Sequence, residues 1–492
     1  MKILIHCINF HPELTGIGKY TGEMSEWFAA RGHEVRVVAA PPYYPEWKVG
    51  EGYSNWWARE NSGSRGKEQV VRCKGQGARS KVQGERGRAK DARGKGQGAR
   101  GKEQGVRGEA SNTTLESCSL NLFPVLVYRC PLWVPSKPSG LKRIVHLASF
   151  ALSSFPEMLR QIFWKPDIVF VVEPPLFCSP SALIVARLTG AKSWLHVQDF
   201  EVDAAFDLGI LPKGRIRNMV LGMESWLMQR FDRVSTISGK MLEKLGEKQV
   251  EESRRAFFPN WVDVGSIFPL ESSPMRSELG IPDRTCICLY SGNMGEKQGL
   301  EILVQAARII SEERGEEYRV RGEEIGVRGE EQGVRSEEKG DVVFVICGNG
   351  GARDRLVQSA QGLKNIIWLP LQPVERLNEL LNMADIHLLP QRADVADLVM
   401  PSKLTGMLAS GKPVIATARA DTEVGRVVSE CGAVVEPGDA EALAREILSL
   451  AANSGRRKEM GEAGRKYAIE NLGIDSILSR IESIMRSVVR ES

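Results

Sequence analysis

The chain has 492 residues, of which 42% are hydrophobic and 26% are charged, with a formal net charge of +4 and nine cysteines. This length exceeds one ordinary hydrophobic core, so we expect two or three domains. No apolar run is long enough to span a membrane, and the cysteines form no CxxC pair. These features argue against an integral membrane protein, a disulfide framework and a structural zinc site.

The positive charge is concentrated in one tract. Residues 62–110 carry fourteen Lys and Arg against five Asp and Glu, a net charge of +9, which leaves −5 for the rest of the chain. Such a tract can bind nucleic acid or anionic lipid, but this one has no aromatic side chain to stack on a base. We therefore expect no nucleic-acid partner, and nucleic-acid binding is an alternative that depends on this tract alone.

The first half of the chain alternates short apolar strands with amphipathic helices. Met1 leads directly into a predicted strand without the zones of a signal peptide, so we expect a cytoplasmic protein. The predicted strands are 2–8, 34–40, 122–129, 167–172, 192–197 and 233–237. The predicted helices are 18–31, 139–163, 180–189 and 216–231.

The second half repeats this alternation, with predicted strands at 285–291, 342–347, 366–369, 386–389, 414–417 and 433–435. Two segments, 61–116 and 311–340, differ from their surroundings and share the sequence EQGVR, at 103–107 and 331–335. Their composition is too polar to bury a core, so we predict disordered or loosely helical insertions.

Apolar strands that alternate with helices predict an α/β fold of parallel sheets covered on both faces. We expect two Rossmann-like, doubly wound domains that face each other across a cleft, at 1–262 and 263–475. Residues 476–492 form a predicted C-terminal helix, which is a candidate to pack back toward the N-terminal domain.

Glycine-rich loops follow three predicted strands, which favours a ligand that lies across several strand ends. The loops contain Gly16 with Gly18, the turn 292–299, and Gly348 with Gly350. Backbone N–H groups in such loops can approach a phosphate or a sugar. The first loop has Thr21 where GxGxxG has its last glycine, so a dinucleotide site is disfavoured. Plain glycine turns are the simpler alternative.

The stretch 400–423 predicts a helix at 401–410, a strand at 414–417 and a second helix from near Asp421. Unpaired N–H groups and helix dipoles at such a strand end favour an anionic ligand. An ordinary αβ unit without a ligand is the alternative.

Polar residues also cluster after the strand 192–197. His196 is followed by carboxylates at Asp199, Glu201 and Asp203. We predict an active-site loop, with a solvated polar loop as the alternative. A metal site is disfavoured because no second histidine stands at a useful spacing.

Together these stretches resemble the retaining glycosyltransferases of GT-B family 4, in particular its WcaI-like branch of colanic-acid and O-antigen enzymes. The resemblance is carried by residues 10–13, 15–20, 196–199, 259–263, 290–301, 401–405 and 407–411. It implies a UDP- or GDP-linked sugar donor bound mainly by the C-terminal domain and an acceptor bound by the N-terminal domain. It implies neither a cofactor nor a metal.

The resemblance also assigns individual residues. The implied donor-binding residues are Gly16, Gly18, Gly292, Asn293, Gly348, Gly350, Ser402 and Glu423, and the implied catalytic residues are His196, Asp199, Lys297 and Lys403. Lys297 and Lys403 would stabilise the leaving diphosphate, which takes the acceptor's proton on the front face of the sugar. His196 would lie beside the sugar, and Asp199 and Glu201 are the candidate nucleophiles for a covalent route.

The sequence departs from the family pattern at four positions. Leu398 and Gly406 replace two glutamates eight residues apart, and Asn293 and Gln298 replace the arginine and lysine of the phosphate turn. A catalytically inactive nucleotide-sugar-binding relative is therefore one alternative, and a nucleotide-sugar epimerase of the same fold is another.

The predicted helix 139–163 begins with Lys142-Arg143 and continues with an apolar face, a pattern typical of the membrane interface. We expect peripheral contact with anionic lipid on the inner face of the plasma membrane, with a lipid-linked or oligosaccharide acceptor. Packing of this helix on the sheet is the alternative.

Overall fold

The computed structural model describes residues 1–13, 16–44, 46–62, 124–136, 140–207, 215–295, 298–324, 341–392 and 401–490. Almost all of the first predicted insertion, and the second beyond Glu324, lie outside the described residues. The chain divides into two compact units, Met1–Asp167 and Ile168–Ser492. The domain limits expected at 262 and 475 stay predictions.

The first unit contains four strands in the order β3-β4-β2-β1. They are β1 (Lys2–His6), β2 (Glu34–Ala39), β3 (Ala58–Asn61) and β4 (Leu126–Arg129). Its helices are α1 (Gly16–Ala30) and α2 (Gly140–Arg160), and a 3-10 turn, Gln161–Trp164, follows α2. Strand β3 pairs antiparallel with β4 and was not predicted.

The second unit begins with four parallel strands, β5 (Ile168–Glu173), β6 (Lys192–Val197), β7 (Arg233–Thr236) and β8 (Arg255–Phe257). The helices among them are α3 (Ser179–Thr189), α4 (Glu201–Asp207), α5 (Arg215–Met228) and α6 (Gly239–Glu247). All six residues of β5 are buried, as expected for a parallel strand covered on both faces.

A six-stranded parallel sheet follows in the order β11-β10-β9-β12-β13-β14. Its strands are β9 (Cys286–Ser291), β10 (Val342–Cys347), β11 (Ile366–Leu369), β12 (Ile386–Pro390), β13 (Val414–Thr417) and β14 (Gly432–Val435). The strand order reverses between β9 and β12, and such a switch point opens a crevice at the carboxyl ends of the strands.

Helices accompany this sheet along its whole length. They are α7 (Pro274–Glu278), α8 (Glu301–Glu324), α9 (Arg353–Ser359), α10 (Leu377–Met383), α11 (Ser402–Ala409), α12 (Glu423–Cys431), α13 (Ala440–Ala452), α14 (Ser454–Tyr467) and α15 (Ile474–Arg490). Alternate residues of β9 enter two separate cores, with Tyr290 in one and Leu289 in the other. Both faces of the sheet are therefore buried, and the predicted α/β class is confirmed.

Three local features bear on the predictions. The second insertion is helical at its start, which is one of the two predicted alternatives, because α8 continues to Glu324. The polar stretch after β6 is not all loop, since α4 begins at Glu201 with acidic residues in its first turn, which the helix dipole favours. The C-terminal helix begins at Ile474, and its Arg480 guanidinium lies 5.7 Å from the ring centre of Phe257 in β8.

Candidate functional site

Two glycine-rich loops meet backbone to backbone at the carboxyl ends of β9 and β10. The Gly292 amide donates to the Cys347 carbonyl at 2.9 Å. The Met294 amide donates to the Asn349 carbonyl at 2.8 Å. Gly348 has a φ of +144°, and a Cβ there would lie 1.9 Å from the carbonyl oxygen of Gly292. Only glycine allows this contact, so the two loops form one backbone surface.

Gly350 belongs to the same surface. A Cβ on Gly350 would lie 2.4 Å from the Met294 carbonyl oxygen and 2.7 Å from Oδ1 of Asn293. The predicted donor-binding residues Gly292, Asn293, Gly348 and Gly350 are therefore brought together at one edge of the sheet.

The side chain of Lys403 crosses this surface. Its Nζ donates to the Tyr290 hydroxyl at 2.5 Å and lies 3.4 Å from the Asn293 carbonyl oxygen. It also lies 4.4 Å from the centre of the Tyr290 ring. Burial lowers the pKa of Lys403 to about 8. Lys403 thus brings a cation to the turn in which Asn293 and Gln298 replace the expected arginine and lysine.

Helix α11 directs its N-terminus toward the same place. Pro401 occupies the N-cap position, and among the described residues no side chain makes a capping hydrogen bond to the helix. The first N–H groups of a helix lack intrahelical partners, and the dipole makes this end positive. Exposed Ser402 and half-buried Lys403 lie in this first turn, so the helix end and the ammonium act on the same space.

Two of the positions singled out by the sequence, Lys297 and Leu398, lie outside the described residues. Gly406, the second position of the missing glutamate pair, lies within α11. A Cβ on Gly406 would lie 3.3 Å from the Leu381 side chain. A larger residue there would have to displace that leucine.

Glu423 lies between two helix N-termini. It is the first residue of α12, and its Oε2 pairs with Arg426 at 2.7 Å. A Cβ on Gly239, the first residue of α6, would lie 3.3 Å from the same oxygen. A carboxylate is favoured beside a helix N-terminus by the dipole. Its predicted contact with the nucleotide sugar stays a prediction.

His196 lies inside β6 and is 3% exposed. The Gln198 amide nitrogen donates to Nε2 at 2.8 Å, so the neutral ring carries its proton on Nδ1 and donates to Ser235 Oγ at 2.9 Å. Burial lowers the pKa of His196 to about 3. Both ring nitrogens are engaged within the fold, and the predicted role beside the sugar stays a prediction.

Asp199 is exposed, and it follows β6. A second carboxyl group, that of Glu173, is buried and was not predicted from the sequence. Glu173, at the carboxyl end of β5, is fully buried, and neither of its oxygens has a hydrogen-bond partner among the described residues. Burial and the neighbouring Glu224 raise its pKa well above the usual range. The feature of the sequence that could have identified Glu173 is an acidic residue at the end of an otherwise apolar run.

In the first unit, Gly16 and Gly18 begin helix α1. A Cβ on Gly18 would lie 2.7 Å from Oε2 of Glu13. Oε1 of Glu13 accepts from the Tyr43 and Tyr44 amides, each at 3.0 Å, and burial raises the pKa of this carboxyl. The carboxyl ties the start of α1 to the segment after β2. The donor contacts expected of Gly16 and Gly18 stay predictions.

Comparison with known proteins shows the family of this chain. Residues 272–467 match the family described as Glycosyl transferases group 1, and residues 116–261 match the Glycosyl transferase 4-like domain. The chain is 37% identical over 500 residues to the putative colanic acid biosynthesis glycosyl transferase WcaI of Escherichia coli K12, across 99% of this chain and 100% of that protein. It is 24% identical to the probable glycosyltransferase WbjE of Pseudomonas aeruginosa, across 67% of this chain and 76% of that protein.

Solved structures show the same fold. Sucrose-phosphate synthase from Thermosynechococcus elongatus superposes with a TM-score of 0.63 at 14% identity, and each chain is covered completely. Anabaena HepE in complex with UDP and glucose gives 0.59 at 11% identity, with coverage of 99% of this chain and 100% of that one. The fold is therefore that of the GT-B glycosyltransferases. The chain belongs to the group 1 glycosyltransferase family, in its WcaI-like branch, which confirms the resemblance found in the sequence.

Proposed function

We propose that this glycosyltransferase transfers a sugar, with retention of configuration and without a metal, from a UDP- or GDP-linked donor to a lipid-linked or oligosaccharide acceptor in exopolysaccharide or lipopolysaccharide synthesis. One observation carries the proposal. Lys403, the N-terminus of α11 and the Gly292 turn converge at the switch point of the six-stranded sheet. Because the Lys403 ammonium and the N-terminus of α11 favour negative charge beside this turn, a nucleoside diphosphate is the ligand class that fits.

The relatives support the pathway and the donor class. WcaI is described as a colanic acid biosynthesis enzyme, and HepE has been crystallised with UDP and with UDP-glucose. In this proposal the sugar is transferred from its nucleoside diphosphate to the acceptor, which becomes longer by one sugar unit.

The proposed reaction balances within the two substrates. The bond from the anomeric carbon to the diphosphate oxygen breaks, and a bond to the acceptor oxygen forms on the same face. The acceptor's proton passes to the departing diphosphate oxygen. Negative charge grows on the diphosphate as the bond breaks, and the Lys403 ammonium with the α11 N–H groups stabilises it.

Helix α2 supports peripheral contact with an anionic membrane. Its exposed apolar residues are Leu141, Val145, Leu152 and Phe155, and Lys142 and Arg143 are also exposed. The opposite side of the helix packs inward through Leu147 and Phe150. Among the described helices, none is long and apolar enough to cross a membrane. We propose that α2 lies at the interface, where a lipid-linked acceptor is found.

A transfer assay with chelator present tests this function. The protein is incubated with UDP- or GDP-linked sugars and lipid-linked acceptor, and NMR determines the anomeric configuration of the product. We expect transfer with the donor's configuration. Inversion, or dependence on added metal, contradicts the mechanism. A sugar isomer formed without acceptor supports the epimerase, and donor binding without turnover supports the inactive relative.

A further inference from the structure

Helix α5 exposes an apolar stripe to solvent. Met219 is 68% exposed, Met223 51% and Trp226 53%. Spacings of four and three residues place these side chains on one face of the helix. The guanidinium of Arg230 lies 3.8 Å from the centre of the Trp226 ring, so the stripe ends in a cation.

Helix α3 carries a second stripe of the same kind. Ile184 and Leu188, four residues apart, are 39% and 65% exposed, and Arg187 between them is also exposed. Strands β5, β6 and β7 are parallel neighbours, and right-handed crossovers place α3 and α5 on the same face of these strands. We call the exposed apolar residues of α3 and α5, with Arg187 and Arg230, the Trp226 surface.

The two helices of the Trp226 surface expose charges of one sign. Among the described residues of α3 and α5, the exposed charges are Arg187 and Arg217, and the single acid, Glu224, is fully buried. Exposed helix faces of soluble proteins usually mix both signs. Apolar side chains, a tryptophan and arginines on one helix face are instead the composition of an interfacial helix.

A second copy of this chain is a poorer occupant. A two-fold dimer presents the same patch on both subunits, which brings the arginines of one copy toward those of the other. An anionic lipid surface pairs with these arginines and accepts the apolar residues between them.

We infer that the Trp226 surface docks on an anionic membrane, as a contact in addition to α2. This inference does not depend on the identity of the donor or on the proposed chemistry of transfer.

Hydroxyl-radical footprinting of the full-length chain locates the contact, because Met and Trp side chains are readily oxidised. The chain is oxidised alone, with phosphatidylglycerol vesicles and with phosphatidylcholine vesicles. We expect phosphatidylglycerol alone to lower the oxidation of Met219, Met223 and Trp226 about fivefold, and that of exposed Phe268 to stay unchanged. Equal oxidation in all samples overturns the inference. Protection that rises with protein concentration without vesicles also overturns it and indicates a second copy.

Vesicle flotation of a double variant measures the contribution to binding. We expect Met223→Ser with Trp226→Ser to lower the partition coefficient on phosphatidylglycerol about tenfold. Leu371→Ser is the matched control and should partition as wild type. Leu371 is 62% exposed and follows β11 of the six-stranded sheet. Transfer to a soluble acceptor should be unchanged in both variants. Wild-type partitioning of the double variant overturns the inference.

Discussion

The Lys403 ammonium and the Tyr290 hydroxyl lie 2.5 Å apart, and the same hydroxyl donates to the Asn293 carbonyl at 2.5 Å. Tyr290 is fully buried, and burial raises its pKa, so the phenol keeps its proton. One hydroxyl thus fixes both the cation and the turn that faces it. Tyr290 acts through Lys403 and is a positioning residue in this account.

Lys403→Met removes the ammonium and keeps an unbranched side chain. We expect kcat/KM to fall about 10- to 100-fold, as the loss of about 1.5–3 kcal/mol of charge-assisted hydrogen bonding predicts. Lys412→Met, at another half-buried lysine before the amino end of β13, is the control and should keep its activity. Equal rates for Lys403→Met and wild type would remove Lys403 from the mechanism.

Tyr290→Phe removes the hydroxyl oxygen that accepts the hydrogen bond from Lys403. We expect weaker binding of the nucleoside diphosphate and unchanged binding of the nucleoside without phosphates. A loss of packing would weaken both ligands alike. Calorimetric titration of the variant with both ligands distinguishes a positioning role from a structural one. Tyr128→Phe, at a half-buried tyrosine in β4, is the control.

The same pair predicts a pH dependence of donor binding. Lys403 is charged below its pKa of about 8, so affinity for the diphosphate should fall as pH rises through that value. The Tyr290 hydroxyl stabilises the charged form, so Tyr290→Phe should move this fall to lower pH. Dissociation constants measured between about pH 6.5 and 9.5 test the shift. A profile with the same midpoint in both proteins contradicts it.

Gly348→Ala tests the contact between the two loops. Its Cβ would lie 1.9 Å from the Gly292 carbonyl oxygen, so the turn must move. We expect a loss of about 1–3 kcal/mol in the free energy of unfolding and weaker donor binding. Gly351→Ala, in the same loop but with no atom of the described residues within 4 Å of its Cβ, is the control and should stay within about 0.5 kcal/mol of wild type.

His387→Gln tests a contribution of buried histidines to acid sensitivity. Burial lowers the pKa of His387 to about 3, from 6.5. Between these values the unfolded chain binds a proton and the folded chain does not, so stability falls as pH drops below about 6.5, by about 1.4 kcal/mol per pH unit. Between pH 7 and pH 5 the midpoint of thermal unfolding should therefore fall less in the variant than in wild type. A difference between the two midpoints that stays the same at both pH values contradicts this.

The sequence predicted several strands of the C-terminal sheet with their observed limits. Residues 342–347, 366–369 and 414–417 are apolar runs flanked by Gly, Pro, Asp or Asn, which mark strand ends. Strand β3 was missed because its sequence, AREN, is polar and its pairing depends on β4, more than sixty residues away. Short polar strands are decided by tertiary contacts rather than by propensity.

The candidate site was accessible from the sequence only in part. Lys403 was assigned through the resemblance to GT-B family 4, which places it beside the leaving diphosphate. Tyr290 was not assigned a role, because it lies in a buried apolar strand and the partner of its hydroxyl is 113 residues away in sequence. Glu173 was missed because the environment that raises its pKa comes from separate helices.

Calorimetric titration of UDP and GDP into wild type and Lys403→Met tests the central claim most directly. We expect one diphosphate to bind wild type with a micromolar dissociation constant, a binding free energy of about −8 kcal/mol, and to bind the variant at least about tenfold more weakly. Absence of binding by both nucleotides, or equal binding to wild type and Lys403→Met, would contradict the assignment of the Lys403 site to the donor diphosphate.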